Sequence, residues 1–219
     1  MTVTKSTIIA VVAAFAATLS VGMSASKAAV ITGGMTDVVL TSADVLAGLG
    51  VTVAPLGTAT IESTSPFPTA VFPITGGSVD PSGALIRHDG SGLELSTASA
   101  SIQLQNFLID TAGGVVDGLV TIGAGPPVGV LPLFTLGAGA TPTTDIPLTL
   151  TAGAADALNT VFFPTGGGPF STSTQIGLAS TFPTTAAVPE PATWAMILIG
   201  FACLGFVGYR GKAISALPV

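Results

Sequence analysis

Apolar residues in the middle of the chain recur at every second position. Ile102 and Leu104 alternate with Ser101, Gln103 and Gln105, and Ile146, Leu148 and Leu150 with Pro147, Thr149 and Thr151. Leu93 and Leu95 flank Glu94, and Val51 and Val53 flank Thr52. Successive strand side chains point to opposite faces, so this period predicts strands with one buried face. Gly76-Gly77, Asp89-Gly90, Gly113-Gly114, Asp117-Gly118 and Gly166-Gly167-Gly168 are predicted as the turns between them. Pro132 and Pro147 interrupt apparent strands. Without a backbone N–H to give to a neighbour, they are expected at sheet edges.

Two segments change to a helical period. Ser42 is placed to cap a helix over 43–49, with Asp44 in its first turn and Gly50 as its stop. Over 152–162, Ala155, Leu158 and Phe162 share one helical face. The expected fold is mainly β, an antiparallel β-sandwich with one or two short helices. No fixed-period repeat suggests a solenoid or propeller.

The two ends follow different patterns. Residues 1–28 have the form of a secretory signal peptide: Lys5 near the start, an apolar run over 8–21, and small residues around Ser26-Lys27-Ala28. At the other end, Val188-Pro189-Glu190-Pro191 precedes eighteen uncharged residues, 192–209, and then Arg210 and Lys212. At ~1.5 Å per residue such a helix is about 27 Å long, enough to cross a bilayer core. Trp194 and Tyr209 lie near its two ends, where amphipathic rings favour the interface. Arg210 and Lys212 place the C-terminus on the cytoplasmic side by the positive-inside bias. Cys203, inside this span, is expected as a small apolar helix residue.

This tripartite end resembles the PEP-CTERM sorting signal of bacterial surface proteins. The resemblance implies an exosortase-type membrane enzyme as partner, with Val188, Pro189, Glu190 and Pro191 as its recognition motif and Arg210 as the stop. The basic end departs from the pattern: Arg210 and Lys212 stand alone in place of a cluster. The implied organisation is a signal peptide at 1–28, an exported domain at 29–187, and a sorting region at 188–219 with a transmembrane helix over 192–209.

Charge narrows the function of the middle. The 219 residues carry a net charge of −6, with five Lys and Arg in all. Between 29 and 187 the only Lys or Arg is Arg87, against ten acids. Nucleic-acid binding needs a basic face and is excluded. One Cys and one His cannot supply a zinc site of N and S ligands or a disulfide framework. The sequence has no G-x-S-x-G elbow, H-E-x-x-H helix or P-loop. Asp80, Asp89, Glu94, Asp110 and Asp117 are expected as solvated turn residues beside Gly, Pro or Ser. Spacing alone does not pair any two of them for glycoside hydrolysis. No metal site and no catalytic residue is expected.

Four segments taken in order carry a second resemblance. They are Phe72-Pro73-Ile74-Thr75-Gly76-Gly77, then Ile86-Arg87-His88-Asp89-Gly90-Ser91-Gly92-Leu93, then Asn106-Phe107-Leu108-Ile109-Asp110, then Val130-Leu131-Pro132-Leu133-Phe134. Their order resembles the HtaA-type domain of bacterial surface proteins over residues 51–162. The resemblance implies a β-rich fold with short helices and, in some members, haem held by a Tyr that a His supports. His88 matches the supporting His. No tyrosine matches, since Tyr209 lies at the end of the expected span. The alternative for His88 is a polar turn residue beside Asp89-Gly90, titrating near ~6.5 in solvent.

Two functions are carried forward. The first is a non-enzymatic surface or extracellular-matrix protein, in contact with the membrane and with extracellular polysaccharide, and needing no cofactor. The second is an extracellular binding module for haem or another porphyrin, with His88 as the ligand candidate.

Overall fold

The computed structural model describes residues 28–139, 143–186 and 197–204. The expected signal peptide, the motif Val188-Pro189-Glu190-Pro191, and Arg210 and Lys212 lie outside these residues. Two units are distinguished, one of them Ala28–Ala187. In the other, residues 197–204 are helical, and Ile197, Leu198, Ile199, Phe201 and Leu204 are exposed. Among the described residues no helix is long and apolar enough to cross a membrane. The rest of the expected 192–209 span lies outside them.

The unit Ala28–Ala187 is mainly β and antiparallel. It contains β1 (Ala29–Val39), β2 (Thr52–Gly57), β3 (Thr60–Glu62), β4 (Thr69–Pro73), β5 (Gly76–Asp80) and β6 (Gly83–Ser96). The second half adds β7 (Ser101–Asp110), β8 (Val115–Ile122), β9 (Pro127–Leu136), β10 (Ile146–Leu150) and β11 (Gln175–Thr185). Two short helices complete it, α1 (Ala43–Gly48) and α2 (Ala152–Phe162), both where the helical period predicts them. All eleven strands belong to one hydrogen-bonded sheet in which β1 also pairs β11. The two packed layers expected of a sandwich are therefore opposite walls of one sheet that closes on itself. Closure removes most of the unpaired edge that an open sheet would expose.

Strand β1 makes the closure. One side pairs β11, from Ile31↔Thr185 to Val39↔Leu178. The other side pairs β5 at Ala29↔Val79 and β4 at Met35↔Pro73 in one unbroken register, bridged by the Ile74 N–H donating to the Gly34 carbonyl at 3.0 Å. Segments β4 and β5 thus act as a single strand, and Gly76-Gly77 is part of it. The turn expected there is not formed.

Asp89-Gly90 and Asp117-Gly118 are also within strands, in β6 and β8, while Gly113-Gly114 and Gly166-Gly167-Gly168 lie in connections as expected. Gly118 faces inward: a Cβ built on it would approach Leu133 Cδ1 to 2.6 Å and Phe107 Cδ1 to 3.1 Å. Its lack of a side chain makes room for Phe107 inside the barrel.

At Asp89-Gly90 the chain forms a corner. Between the pairs His88↔Phe107 and Gly92↔Gln105, β6 places three residues against the single Asn106 of β7. Asn106 has φ +54° and Gly90 has φ +76°. The Gly90 N–H donates to Asn106 Oδ1 at 2.8 Å and closes the bulge. Bulges of this kind bend a strand and re-aim its side chains. Beyond the corner, β6 exchanges β5 for β2 as its neighbour, in the register Gly57↔Ser91 to Thr52↔Ser96.

The core lies inside the closed sheet and under α2. Ile31, Ile86, Leu93, Leu95, Ile102, Leu104, Phe107, Val120, Leu133 and Leu148 are buried there. Among the described residues, every strand pairing and every core residue falls within Ala28–Ala187. This stretch has the closed hydrophobic core that lets a domain fold by itself.

Candidate functional site

His88 lies inside the barrel. The expectation of a solvated turn residue fails, because its side chain is only 1% exposed. The corner is the cause. Ile86 and His88 face inward before the bulge, and Leu93 and Leu95 face inward after it. The bulge switches the inward set from even to odd positions.

The imidazole meets few polar partners. Nε2 lies 2.9 Å from Thr36 Oγ1, and Thr36 donates in turn to Thr181 Oγ1 at 3.3 Å. Thr36 and Thr181 face one another across the β1–β11 pair. The direction of the Nε2–Thr36 hydrogen bond follows the imidazole tautomer. Nδ1 is buried and has no partner within hydrogen-bond geometry. Phe72 stands edge-on to the imidazole at 6.3 Å and to Phe107 at 5.3 Å. Burial pushes the His88 pKa down to about 4, outweighing the Phe107 carbonyl and the Asp89 charge, which favour the protonated form. The ring is neutral at physiological pH.

Two cavities occupy the interior. The smaller one, about 60 Å³, is lined by His88, Thr36, Thr181, Phe72 and Phe107 among others. The other, about 130 Å³, lies beneath α2 and is walled by apolar side chains such as Leu104, Leu133 and Leu158. Leu40, Leu93, Phe134 and Ile176 line both cavities and form the partition between them.

Local chemistry holds the α2 cover in place. The Thr151 hydroxyl accepts from the Ala154 N–H at 3.2 Å as an N-cap and donates to the Pro132 carbonyl at 2.7 Å. At the far end, Asn159 donates to the Phe170 carbonyl at 2.8 Å and accepts from the Phe170 N–H at 3.1 Å. Ser42, expected to cap α1, makes no cap bond; its hydroxyl donates to the Ile176 carbonyl at 2.9 Å.

Strand β9 is paired on both sides only from Phe134 onward. Among the described residues no strand pairs the second edge of its first half. The edge position expected of Pro132 is met there.

The other candidate residues do not join His88. Among the described residues, no three His, Cys, Asp or Glu side chains come together to hold a metal. Cys203 is a free, exposed thiol within helical residues 197–204. Asp37 has a buried, unpartnered Oδ1, and its pKa is raised by partial burial and then by Glu62. The Thr36–Thr181 pair and the two cavities are not predicted by the sequence pattern.

His88 as placed does not fit a porphyrin. The ring is sealed in the wall, the cavity beside it is about 60 Å³, and no tyrosine lies between residues 28 and 187.

No protein-family model and no curated protein sequence matches the chain. One solved structure does: the crystal structure of the C-terminal domain of HtaA from Corynebacterium glutamicum. It is similar with a TM-score of 0.52 and 13% sequence identity, covering 72% of this chain and 99% of that one. At this identity the likeness is one of fold, and it supports the HtaA-like β-domain expected from the four segments.

Proposed function

We propose that this protein is a non-enzymatic component of the bacterial surface or extracellular matrix, delivered through its C-terminal sorting region. The observation that carries this reading is the tail: Val188-Pro189-Glu190-Pro191, eighteen uncharged residues, then Arg210 and Lys212. The signal peptide at 1–28 directs the β-domain outward. The apolar segment 192–209 holds the chain in the membrane until an exosortase-type enzyme reads the motif. The exposed apolar side chains of helical residues 197–204 support the membrane step, since lipid would cover them. An acidic domain with a single Lys or Arg keeps clear of polyanions and remains soluble by self-repulsion. Its partners in this reading are the sorting enzyme, the membrane and extracellular polysaccharide.

Fractionation tests the route. Wild type is expected at the surface or in the medium. A variant with P189A, E190A and P191A is expected to remain with the membrane. The same distribution for both would overturn the role of the motif.

The likeness to the HtaA domain favours a second reading, an extracellular haem- or porphyrin-binding module. The burial of His88 stands against it. A hemin titration of residues 28–187 separates the two. A Soret shift lost in H88A would support the module, and an unchanged hemin spectrum at micromolar protein would support the first reading.

A further inference from the structure

We propose that the cavity beneath α2 is a binding site for an uncharged hydrocarbon group of about six carbons, taken in beside Gly153 and held without any contact to His88.

Three observations carry this. The first is volume and lining. The cavity is about 130 Å³, and every residue that lines it is apolar. An engineered apolar cavity of ~150 Å³ stays dry and accepts a benzene ring. No lining side chain offers a hydrogen bond here, so water finds no side-chain partner and a hydrocarbon forfeits none.

The second is how the space is kept open. Three of the four α2 residues that line it are Gly153, Ala154 and Ala157. A leucine at position 157 would suit a helix equally well and would fill the void. Interiors are otherwise packed to near crystal density.

The third is the mouth. Leu131, Pro132 and Gly153 line the cavity and are themselves exposed, with Leu131 at 38%. The cavity thus meets solvent between the first turn of α2 and the singly paired half of β9. A Cβ built on Gly153 would meet nothing within 4 Å. The side chains charged at this mouth are acids: Asp117 is the β8 partner of Pro132, and Asp156 lies about one turn along α2 from Gly153. No Lys or Arg lines the cavity. Two full negative charges, against the half-positive end of α2, oppose a carboxylate there.

The test uses residues 28–187, which have their own closed core. Methyl-labelled protein would be titrated with benzene, hexyl glucoside and sodium hexanoate. Benzene should give saturable shifts at the Leu104, Leu133 and Leu158 methyls, with a Kd on the order of 1 mM as suits a six-atom ligand. Hexyl glucoside separates two sources of the same chemistry. Shifts at those methyls assign the site to the end of a longer uncharged molecule, and their absence assigns it to a free hydrocarbon. Hexanoate should bind at least tenfold more weakly than benzene.

Ala157→Leu should weaken benzene by tenfold or more without lowering the urea midpoint, because the new side chain occupies the void. Gly153→Leu places a side chain over the mouth at an unstrained helical position and should slow benzene exchange by tenfold or more. Absence of saturable methyl shifts with benzene, or unaltered affinity in A157L, would overturn the site. Unchanged exchange in G153L would overturn the entry route. Hexanoate binding as tightly as benzene would overturn the preference for an uncharged group. Neither the sorting route nor hemin enters any of these outcomes.

Discussion

Acidification should unfold this domain partly through His88, and the size of the effect follows from its burial. In the unfolded chain the imidazole titrates at its ordinary 6.5; in the fold it titrates at about 4. The folded state therefore binds fewer protons between these values, and stability rises with pH across that window. The contribution is fully present above pH 6.5 and is lost as pH falls toward 4. One pKa unit is worth about 1.4 kcal/mol, so the loss reaches about 2 kcal/mol near pH 5 and about 3 kcal/mol by pH 4. Against a typical domain stability of ~5–15 kcal/mol this is a large fraction.

Urea unfolding of residues 28–187 at several pH values, for wild type and His88→Gln, isolates the effect. Carboxylates titrate in the same range, but they are common to both proteins and cancel in the difference. Asp37 is one of them. Its raised pKa acts in the opposite sense, favouring the fold as pH falls. The wild-type curve should drop toward the variant curve as pH goes from 7 to 4, by about 3 kcal/mol in all. Parallel curves would refute the burial of a neutral His88.

Other substitutions test the parts that shape the barrel. Gly118→Val should cost about 2–3 kcal/mol in urea unfolding, because its side chain would press on Phe107 and Leu133 in a filled interior. Gly57→Ala should cost 2 kcal/mol or more, on the order of the strain of a fixed positive φ and a steric clash combined. Gly57 holds φ +62°, and its Cβ would fall 1.9 Å from the Gly90 carbonyl oxygen. Thr151→Ala should cost about 1–2 kcal/mol by removing both the α2 cap and the bond to Pro132. Amide exchange would show faster opening of α2 in that variant, while β6–β7 amides keep their protection.

Much of the fold is legible as alternation. Ile102 and Leu104, Leu148 and Leu150, and Leu93 and Leu95 are all buried, as period two requires. Helix α2 follows from Ala155 and Leu158, and the turn at Gly113-Gly114 from its glycines. What escapes a local reading is phase. Counting back by twos from Leu95 and Leu93 puts Arg87 and Asp89 inside and His88 outside. The three-residue bulge reverses that, and β7 makes the matching switch at Asn106, from Leu104 to Phe107. The bulge is a property of the paired strands, set by Gly90, Asn106 and their hydrogen bond, so neither segment announces it alone.

Closure is hidden for a similar reason. The β1–β11 pairing joins the two ends of the domain Ala28–Ala187, and nothing in either strand names its partner. The Gly76-Gly77 and Asp117-Gly118 pairs mislead because glycine also serves where neighbours approach closely, as Gly118 does beside Phe107. The cavities arise from the sum of both walls and α2. Their one sequence trace is the glycine at position 153, which is unremarkable until the helix is seen to lie over a cavity.

The route to the surface is the central claim, and intact mass tests it most directly. The protein would be recovered from membrane, surface and medium fractions of a host with the sorting enzyme and of a matched host without it. The account predicts a surface or medium species that starts near Ala29 and ends near Val188-Pro189-Glu190-Pro191, present only with the enzyme. A species that keeps Arg210 and Lys212 and stays in the membrane of both hosts would contradict it, leaving the C-terminal helix as a plain anchor.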